Sequence, residues 1–452
     1  MDGKNARSLV YISSGHSITF INITITHGFS KNYKIGGALT NYGTLNLINV
    51  NITNNTHSIN THKAISYGGA VYNVGDMNIY NSTFSGNKVT ASDTQEEYNS
   101  DRNLPDAVAY AYGGAIYNTG TINSYNSIFN NNLAQTNTLT GSYYSDLGSH
   151  SYSIGGAIYN NGLINLFNNT LTENKVNSQA KGEEYDYKYA YAYGGSIQNN
   201  GTLIIKDSII NYNLATSIGR FSFANGGSIS NNKIMDIINS SLIGNKVSTS
   251  SVSSTSGNAI SYGGAIYNRG KLNLEDVNLI NNSAYSSVPE SFDYEGYSYG
   301  GAIFTIKSMN IIKTKFINNN VTSECINIHF IINDTIYAKG GAIYTENNLK
   351  IIKSVFINNN AFKNFINNPV MLNVSNSSIN NNIYSSNNSC NYSIENNWWG
   401  NNTPNWNQIL VNVNAPESWI YLKVTLSKDN INVTENTQIK TDFNWLTNGK
   451  NV

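Results

Sequence analysis

Apolar and polar residues alternate along this chain in short runs, each closed by Gly or Asn, and the runs fall on one repeated frame. A Gly-Gly pair begins at Gly36, Gly68, Gly113, Gly155, Gly194, Gly226, Gly263, Gly300 and Gly340. Ala or Ser follows the pair, then a branched aliphatic residue such as Leu39, Val71 or Ile116. Counted from the first glycine, apolar residues alternate at offsets nine and eleven, as in Leu45/Leu47, Ile164/Leu166 and Leu272/Leu274, with Ser124 the polar exception. Offset sixteen is bulky and apolar in every copy: Ile52, Phe84, Phe129, Leu171, Ile210, Leu242, Leu279, Phe316 and Phe356. Offset nineteen is always Asn: Asn55, Asn87, Asn132, Asn174, Asn213, Asn245, Asn282, Asn319 and Asn359. A period of two marks strands rather than helices, and Gly and Asn punctuate them as turns.

Two further copies lack the glycines. "SITFINITITHG" places Ile18, Phe20 and Ile25 on the same offsets, and "MLNVSNSSINNN" does so with Leu372, Val374, Ile379 and Asn382. The start implied for the second, Lys363, is only 23 residues after Gly340. A repeat that short, with three strands, predicts one coil of a parallel β-helix. Eleven coils at ~4.8 Å each make a rod on the order of 50 Å long. The paired glycines, among them Gly36, Gly37, Gly68, Gly69, Gly113, Gly114, Gly155, Gly156, Gly263 and Gly264, are expected to give the backbone a tight entry into each coil. Asn recurs at offsets five (Asn41, Asn73, Asn118) and thirteen (Asn49, Asn81, Asn126) as well as nineteen. An Asn near each corner of a three-sided coil is the reading: it accepts left-handed backbone geometry, and its amide reaches the equivalent Asn one coil away.

The GGA[ILV] element, followed by a bulky apolar residue, two spacers and Asn, resembles the repeats of chlamydial polymorphic outer-membrane proteins. The phrase "GGAIYNNGLINLFNNTLTENKV" is closer still to the adhesin-like surface proteins of methanogenic archaea. "NNWWGNNTPNW", from Asn396, is similar to the segment that closes the β-helix in those proteins, and "WIYLKVTLSKDNINVTENTQIKTDFN" looks like the opening strands of the immunoglobulin-like module that often follows. The resemblance implies a secreted, right-handed parallel β-helix displayed at the cell surface for adhesion. It divides the chain into an all-β helix over 1–395, a closing segment and linker over 396–418, and an incomplete immunoglobulin-like β module over 419–452. The start, "MDGKNARSLVYISSG", lacks the basic-then-apolar layout of a secretory signal. The last module is short of the roughly 100 residues of a sandwich. A fragment of a longer product is therefore expected, with its extracellular or cell-surface location resting on resemblance.

Composition narrows the chemistry. Among 452 residues, Lys plus Arg equals Asp plus Glu at 27 each, so no charge excess points to nucleic acid or an anionic membrane. No apolar run is long enough for a membrane-spanning helix. The chain is rich in Tyr, at 32, and in Asn. The segments between offset nineteen and the next Gly-Gly concentrate Tyr and acid, as in "SQAKGEEYDYKYAYAY" and "VPESFDYEGYSY". All leave the same offset, so they are expected to form a contiguous comb of loops along one edge of the rod. Tyr offers a large amphipathic contact area at low entropic cost. Tyr98, Tyr110, Tyr143, Tyr144, Tyr185, Tyr187, Tyr189, Tyr191, Tyr294 and Tyr297 are therefore the candidate binding residues, for extracellular glycans or cell-surface proteins. The competing structural reading is that Tyr before Gly-Gly, as in Tyr67, Tyr112, Tyr193, Tyr262 and Tyr299, merely packs coil on coil.

Catalysis is not expected. Polysaccharide cleavage needs two or three carboxylates converging on one groove. The frame's acids, such as Asp207, Asp236 and Asp276, form no ladder on consecutive coils. No phosphate-loop motif, metal-ligand cluster or cofactor signature occurs. His57 and His62 share one insertion and read as solvated loop residues. Cys325 and Cys390 fall after coils two steps apart, which favours two thiols over a disulfide. The rival readings are a carbohydrate-active β-helix enzyme and a passive stalk.

Overall fold

The computed structural model describes residues 1–94, 106–140, 148–182, 186–252, 256–289, 294–326, 335–366, 377–379, 383–385, 392–394, 397–399, 402–411, 413–427 and 438–450. Cys390 lies outside them.

The repeated frame folds as stacked coils, but each full coil carries five strands rather than three. In the coil that starts at Gly113, the strands Ile116–Asn118, Thr121–Tyr125 and Ile128–Asn130 turn around a central core. The chain then runs outward as Leu133–Leu139 and returns as Gly148–Ile154 before the next Gly-Gly pair. Successive coils pair in parallel, giving three core sheets of twelve, eleven and ten strands among the described residues. The outgoing and returning strands form two more sheets, of eleven and eight strands. The expected comb of loops is instead a two-layer β fin. Its strands were hidden because inner residues there are Ala, Ser and Thr, which give no apolar alternation.

Strand register preserves the frame. Leu39, Val71 and Ile116 align in the first sheet, Leu45, Met77 and Ile122 in the second, and Ile52, Phe84 and Phe129 in the third. All nine are fully buried. Like therefore stacks on like, and Phe84 and Phe129 lie face to face with ring centroids 5.0 Å apart. Each such side chain contributes roughly 1.5–3 kcal/mol by leaving water. The polar exception is answered one coil on: Ser124 is buried, and its hydroxyl donates to Asn169 Oδ1 at 2.8 Å. Asn169 also joins a corner ladder at offset fourteen that the sequence reading missed, in which Ser82, Ser127 and Ser208 satisfy backbone amides.

Asn does two distinct jobs. At offset five, Nδ2 of Asn41, Asn73 and Asn118 donates to Oδ1 of the next Asn at 2.7, 2.7 and 2.9 Å. The ladder at offset nineteen runs unbroken from Asn55 to Asn359, and includes Asn87, Asn132, Asn174, Asn245 and Asn319. Neither ladder uses left-handed backbone, so the corner reading holds in full only at offset thirteen, where Asn49 Nδ2 also donates to Asn22 Oδ1 at 3.0 Å. Positive φ falls at offset thirteen (Asn49, Asn81, Asn126) and at offset eighteen (Asn54, Asn131, Glu173). A buried Asn spends its amide on hydrogen bonds, and the strained turn passes to its exposed neighbour.

The last coil also differs from the reading. Lys363 lies within the outward strand Asn360–Ile366, and Ser377–Ile379 pairs with it antiparallel. The first core strand of that coil is Ile383–Ser385, in register with Ile343–Thr345. Trp399 then takes the place of the bulky residue at offset sixteen, stacked on Phe356 at 5.0 Å. Trp406, on the one-turn helix Trp406–Ile409, packs edge-on against Trp399, and Trp419 packs against Trp406. Beyond it, Ile420–Leu426 and Ile439–Leu446 form a two-stranded antiparallel sheet.

The fin is held by small side chains. Ala109, Ala111, Ala134, Ala192 and Ala215 pack between its layers, and hydroxyl pairs bridge them, with Ser151 donating to Thr136 Oγ1 and Ser149 to Thr138 Oγ1, both at 2.6 Å. Cys325 is buried there beside Val288 and Ile336. His57 is not solvated: it is fully buried, with Nε2 3.0 Å from the Asn32 carbonyl oxygen and Nδ1 2.8 Å from the Tyr67 amide nitrogen. Burial pulls its imidazole down to about 4, the backbone of Tyr67 and Asn32 opposing that in part. Between pH 6.5 and 4 the unfolded chain binds a proton that the folded chain refuses. Stability therefore falls as pH drops through that window, by on the order of 3 kcal/mol. His57→Gln should flatten this slope in denaturant titrations at pH 7 and pH 4.5; an unchanged slope would remove His57 as its source.

Candidate functional site

Period-two geometry sends alternate residues of a returning strand to opposite faces. In Tyr187–Tyr193, Lys188, Ala190 and Ala192 face the fin's interior, so Tyr187, Tyr189, Tyr191 and Tyr193 face outward. Parallel register then stacks the tyrosines across coils. Tyr110 lies on Tyr152 at 4.5 Å, Tyr152 on Tyr191 at 4.7 Å, and Tyr191 on Phe223 at 5.1 Å. A second row runs from His150 through Tyr189 to Phe221, at 5.0 and 4.9 Å. Along one strand, Tyr187, Tyr189 and Tyr191 follow at 6.4 Å intervals with planes within 8°. The result is a two-dimensional array of near-parallel rings. Tyr187 is its most open member, 44% exposed, with the Arg220 guanidinium 5.6 Å above the ring.

The array brings together Tyr110, Tyr187, Tyr189 and Tyr191 of the sequence candidates. Tyr297 stands on the same face further along the rod, stacked on Tyr337 at 5.4 Å. The backbone of Tyr294 opens the strand Tyr294–Tyr299. Tyr98, Tyr143, Tyr144 and Tyr185 lie outside the described residues. Members not singled out in the sequence are His150, Tyr152, Phe221 and Phe223. Tyr110, Tyr152, Tyr191 and Phe223 each stand three residues before a Gly-Gly pair, so counting backward from the glycines finds the ladder where counting forward does not.

The returning sheet meets the first core sheet at a concave seam. Two ladders face each other there. Tyr67 and Tyr112, just before the glycines, stack at 5.4 Å, as the structural reading expected. Tyr72, Tyr117 and Tyr159, four residues after the first glycine, stack at 5.1 and 5.0 Å. The ladders touch edge to face, Tyr67 with Tyr117 at 4.7 Å and Tyr112 with Tyr159 at 5.0 Å. Burial raises the Tyr72 hydroxyl to about 12 and pushes those of Tyr112 and Tyr193 up. The hydroxyls therefore stay protonated at ordinary pH, and each can donate as well as accept. Midway along, where Ile154, Gln198 and Asn225 interrupt the rings, the seam opens into a pocket of about 270 Å³.

Among the described residues, no three His, Cys, Asp or Glu side chains gather as a metal site, and no helix is long and apolar enough to cross a membrane. The class defined by fold and site is a parallel β-helix with a two-layer fin and an ordered aromatic surface. Comparison with protein-family models, curated proteins and solved structures returns no match.

Proposed function

We propose that this is an adhesin-like extracellular binding protein that holds glycans or surface proteins on the outer face of its returning sheet. The observation that carries this reading is the array centred on Tyr187, Tyr189 and Tyr191. The fin's own packing is supplied by the small residues facing inward. Aromatic rings on the opposite face are not needed to fill it. Rings fixed by mutual stacking are already ordered before a ligand arrives, which lowers the entropic cost of binding. Their faces match the C–H face of a sugar or an apolar side chain, and their hydroxyls match polar groups around it.

A glycan array and a cell-binding assay with the double variant Tyr187→Ala/Tyr189→Ala test this. Stacking of this kind is worth about 0.5–1.5 kcal/mol per ring, so the expected loss in affinity is roughly tenfold. Binding unchanged by the double substitution would rule out the array as the contact surface.

A further inference from the structure

We infer that the break in the seam's aromatic ladder, between Tyr159 and Tyr267, is a slot for a pyranose ring of a glycan. It is separate from the exposed array. In register, Tyr159 is followed by Gln198, Ser230 and then Tyr267. Stacking resumes there, with Tyr267 on Phe304 at 5.4 Å. At ~4.8 Å per coil, the two tyrosines stand ~14 Å apart with two rungs missing. Tyr159 keeps Tyr117 on one face and Tyr267 keeps Phe304 on one face, so each turns its other face toward the break.

The break is polar and unsatisfied. Gln198 is 3% and Asn225 8% exposed, yet Gln198 Oε1 and Asn225 Oδ1 have no hydrogen-bond partner in the protein. The buried Ser230 hydroxyl is in the same state. The Gln198 amide is fixed in this orientation, because Nε2 donates to Asn200 Oδ1 at 2.9 Å. Asn200 is itself held, accepting from Asn232 Nδ2 at 2.7 Å and donating to the Tyr159 hydroxyl at 2.9 Å. A buried acceptor without a donor costs about 1–3 kcal/mol. Two unpartnered acceptors, the one on Gln198 fixed in place, beside two aromatic faces call for a ligand that is flat and apolar on its faces and carries O–H donors on its rim. A pyranose ring has that form. Arg269, at the mouth, adds donors for a ring or substituent oxygen.

The test titrates the full chain calorimetrically with neutral hexose tetrasaccharides and with trigalacturonate. At least one should bind, and Gln198→Tyr, which supplies a missing rung, should weaken it roughly tenfold or more while leaving the melting temperature at or above the parent's. Tyr187→Ala/Tyr189→Ala should leave slot binding within about twofold. Failure of every probe, or equal binding by Gln198→Tyr, overturns the slot. Loss on the double variant with retention by Gln198→Tyr also overturns it and leaves the exposed array as the site. The converse pattern upholds the slot, and the array stands or falls separately on the glycan-array and cell-binding assay of the double variant.

Discussion

Asn174→Ala should lower the stability of the folded chain by on the order of 5 kcal/mol. Asn174 Nδ2 donates to the Phe129 carbonyl at 2.8 Å and to Asn213 Oδ1 at 3.0 Å. Its Oδ1 accepts from the Asn132 backbone amide at 3.1 Å and from Asn132 Nδ2 at 2.9 Å. Ala removes all four bonds and leaves two donors of Asn132 buried without partners, while the Phe129 carbonyl keeps its place in the parallel ladder with Thr170–Thr172. Each such orphan costs about 1–3 kcal/mol, and their coils are too tightly stacked for water to replace the lost groups. Asn174→Asp keeps the acceptors but turns a second oxygen toward the Phe129 carbonyl. Burial should raise the pKa of that carboxyl in the folded chain, so its penalty shrinks in acid, where the protonated form donates once, and grows as pH rises. Asn168→Ala is the comparison: it loses one exposed bond, to Asn126 at 2.8 Å, puts Ala at a φ of +55°, and should cost no more than about 2 kcal/mol in all. Denaturant midpoints at pH 7 and pH 4, each referred to the parent chain, measure the three. Equal costs for Asn174→Ala and Asn168→Ala would mean the buried ladder is not a stabilising element.

That ladder was legible in the sequence because a repeated coil turns a one-dimensional spacing into a contact. Once the frame is fixed, Asn132 and Asn174 must be neighbours, although they are 42 positions apart. The same logic gave the apolar columns, where offset alone places Phe84 on Phe129. It failed wherever the spacing varies. Forward offset makes Lys363 a coil start, but the strand containing it continues the outgoing sheet. The true first core strand follows a segment of different length and begins at Ile383.

The fin was illegible for a different reason. Strands are usually recognised by large apolar residues on one face, and here that face carries Ala109, Ala111, Ser151 and Thr136. Two sheets lined with such small groups pack closely and satisfy their hydroxyls across the gap, so the hydrophobic signal is faint where the packing is good. The large residues of those strands are on the outer face instead, and their Tyr content reads as a loop composition. The array was thus half visible: the sequence showed which segments carry tyrosine, and only the pairing of returning strands showed that Tyr152 and Phe223 belong with Tyr110 and Tyr191. The seam was further from reach. Gln198 is unremarkable as a single Gln, and it matters because the rings above and below it in register stop there.

The largest effect is expected at the neck where coil and fin join. Gly156→Ala should abolish cooperative folding of the coils around it, a loss of more than about 4–5 kcal/mol, beyond the range of ordinary point substitutions. A Cβ there would run into the Gly195 carbonyl oxygen of the next coil and stand 2.7 Å from the backbone nitrogen and carbonyl carbon of Lys175. Lys175 opens the outgoing strand and Gly156 ends the return, so two backbones touch with no room for a side chain between them. Neither can retreat alone, because Lys175 is hydrogen-bonded to the Asn132 carbonyl at 2.9 Å and Gly156 to the Gly194 carbonyl at 3.1 Å. Gly155 is constrained separately by its φ of +70°, which any L side chain would strain. Gly15→Ala separates the two causes: its φ is +81° but nothing lies within 4 Å of the added atom. It should cost only about 1–2 kcal/mol. Circular dichroism melts and limited proteolysis read the difference, with Gly156→Ala opened to protease at the neck and Gly15→Ala protected like the parent chain. If Gly156→Ala melts within about 1 kcal/mol of Gly15→Ala, the close backbone approach is not what selects the second glycine.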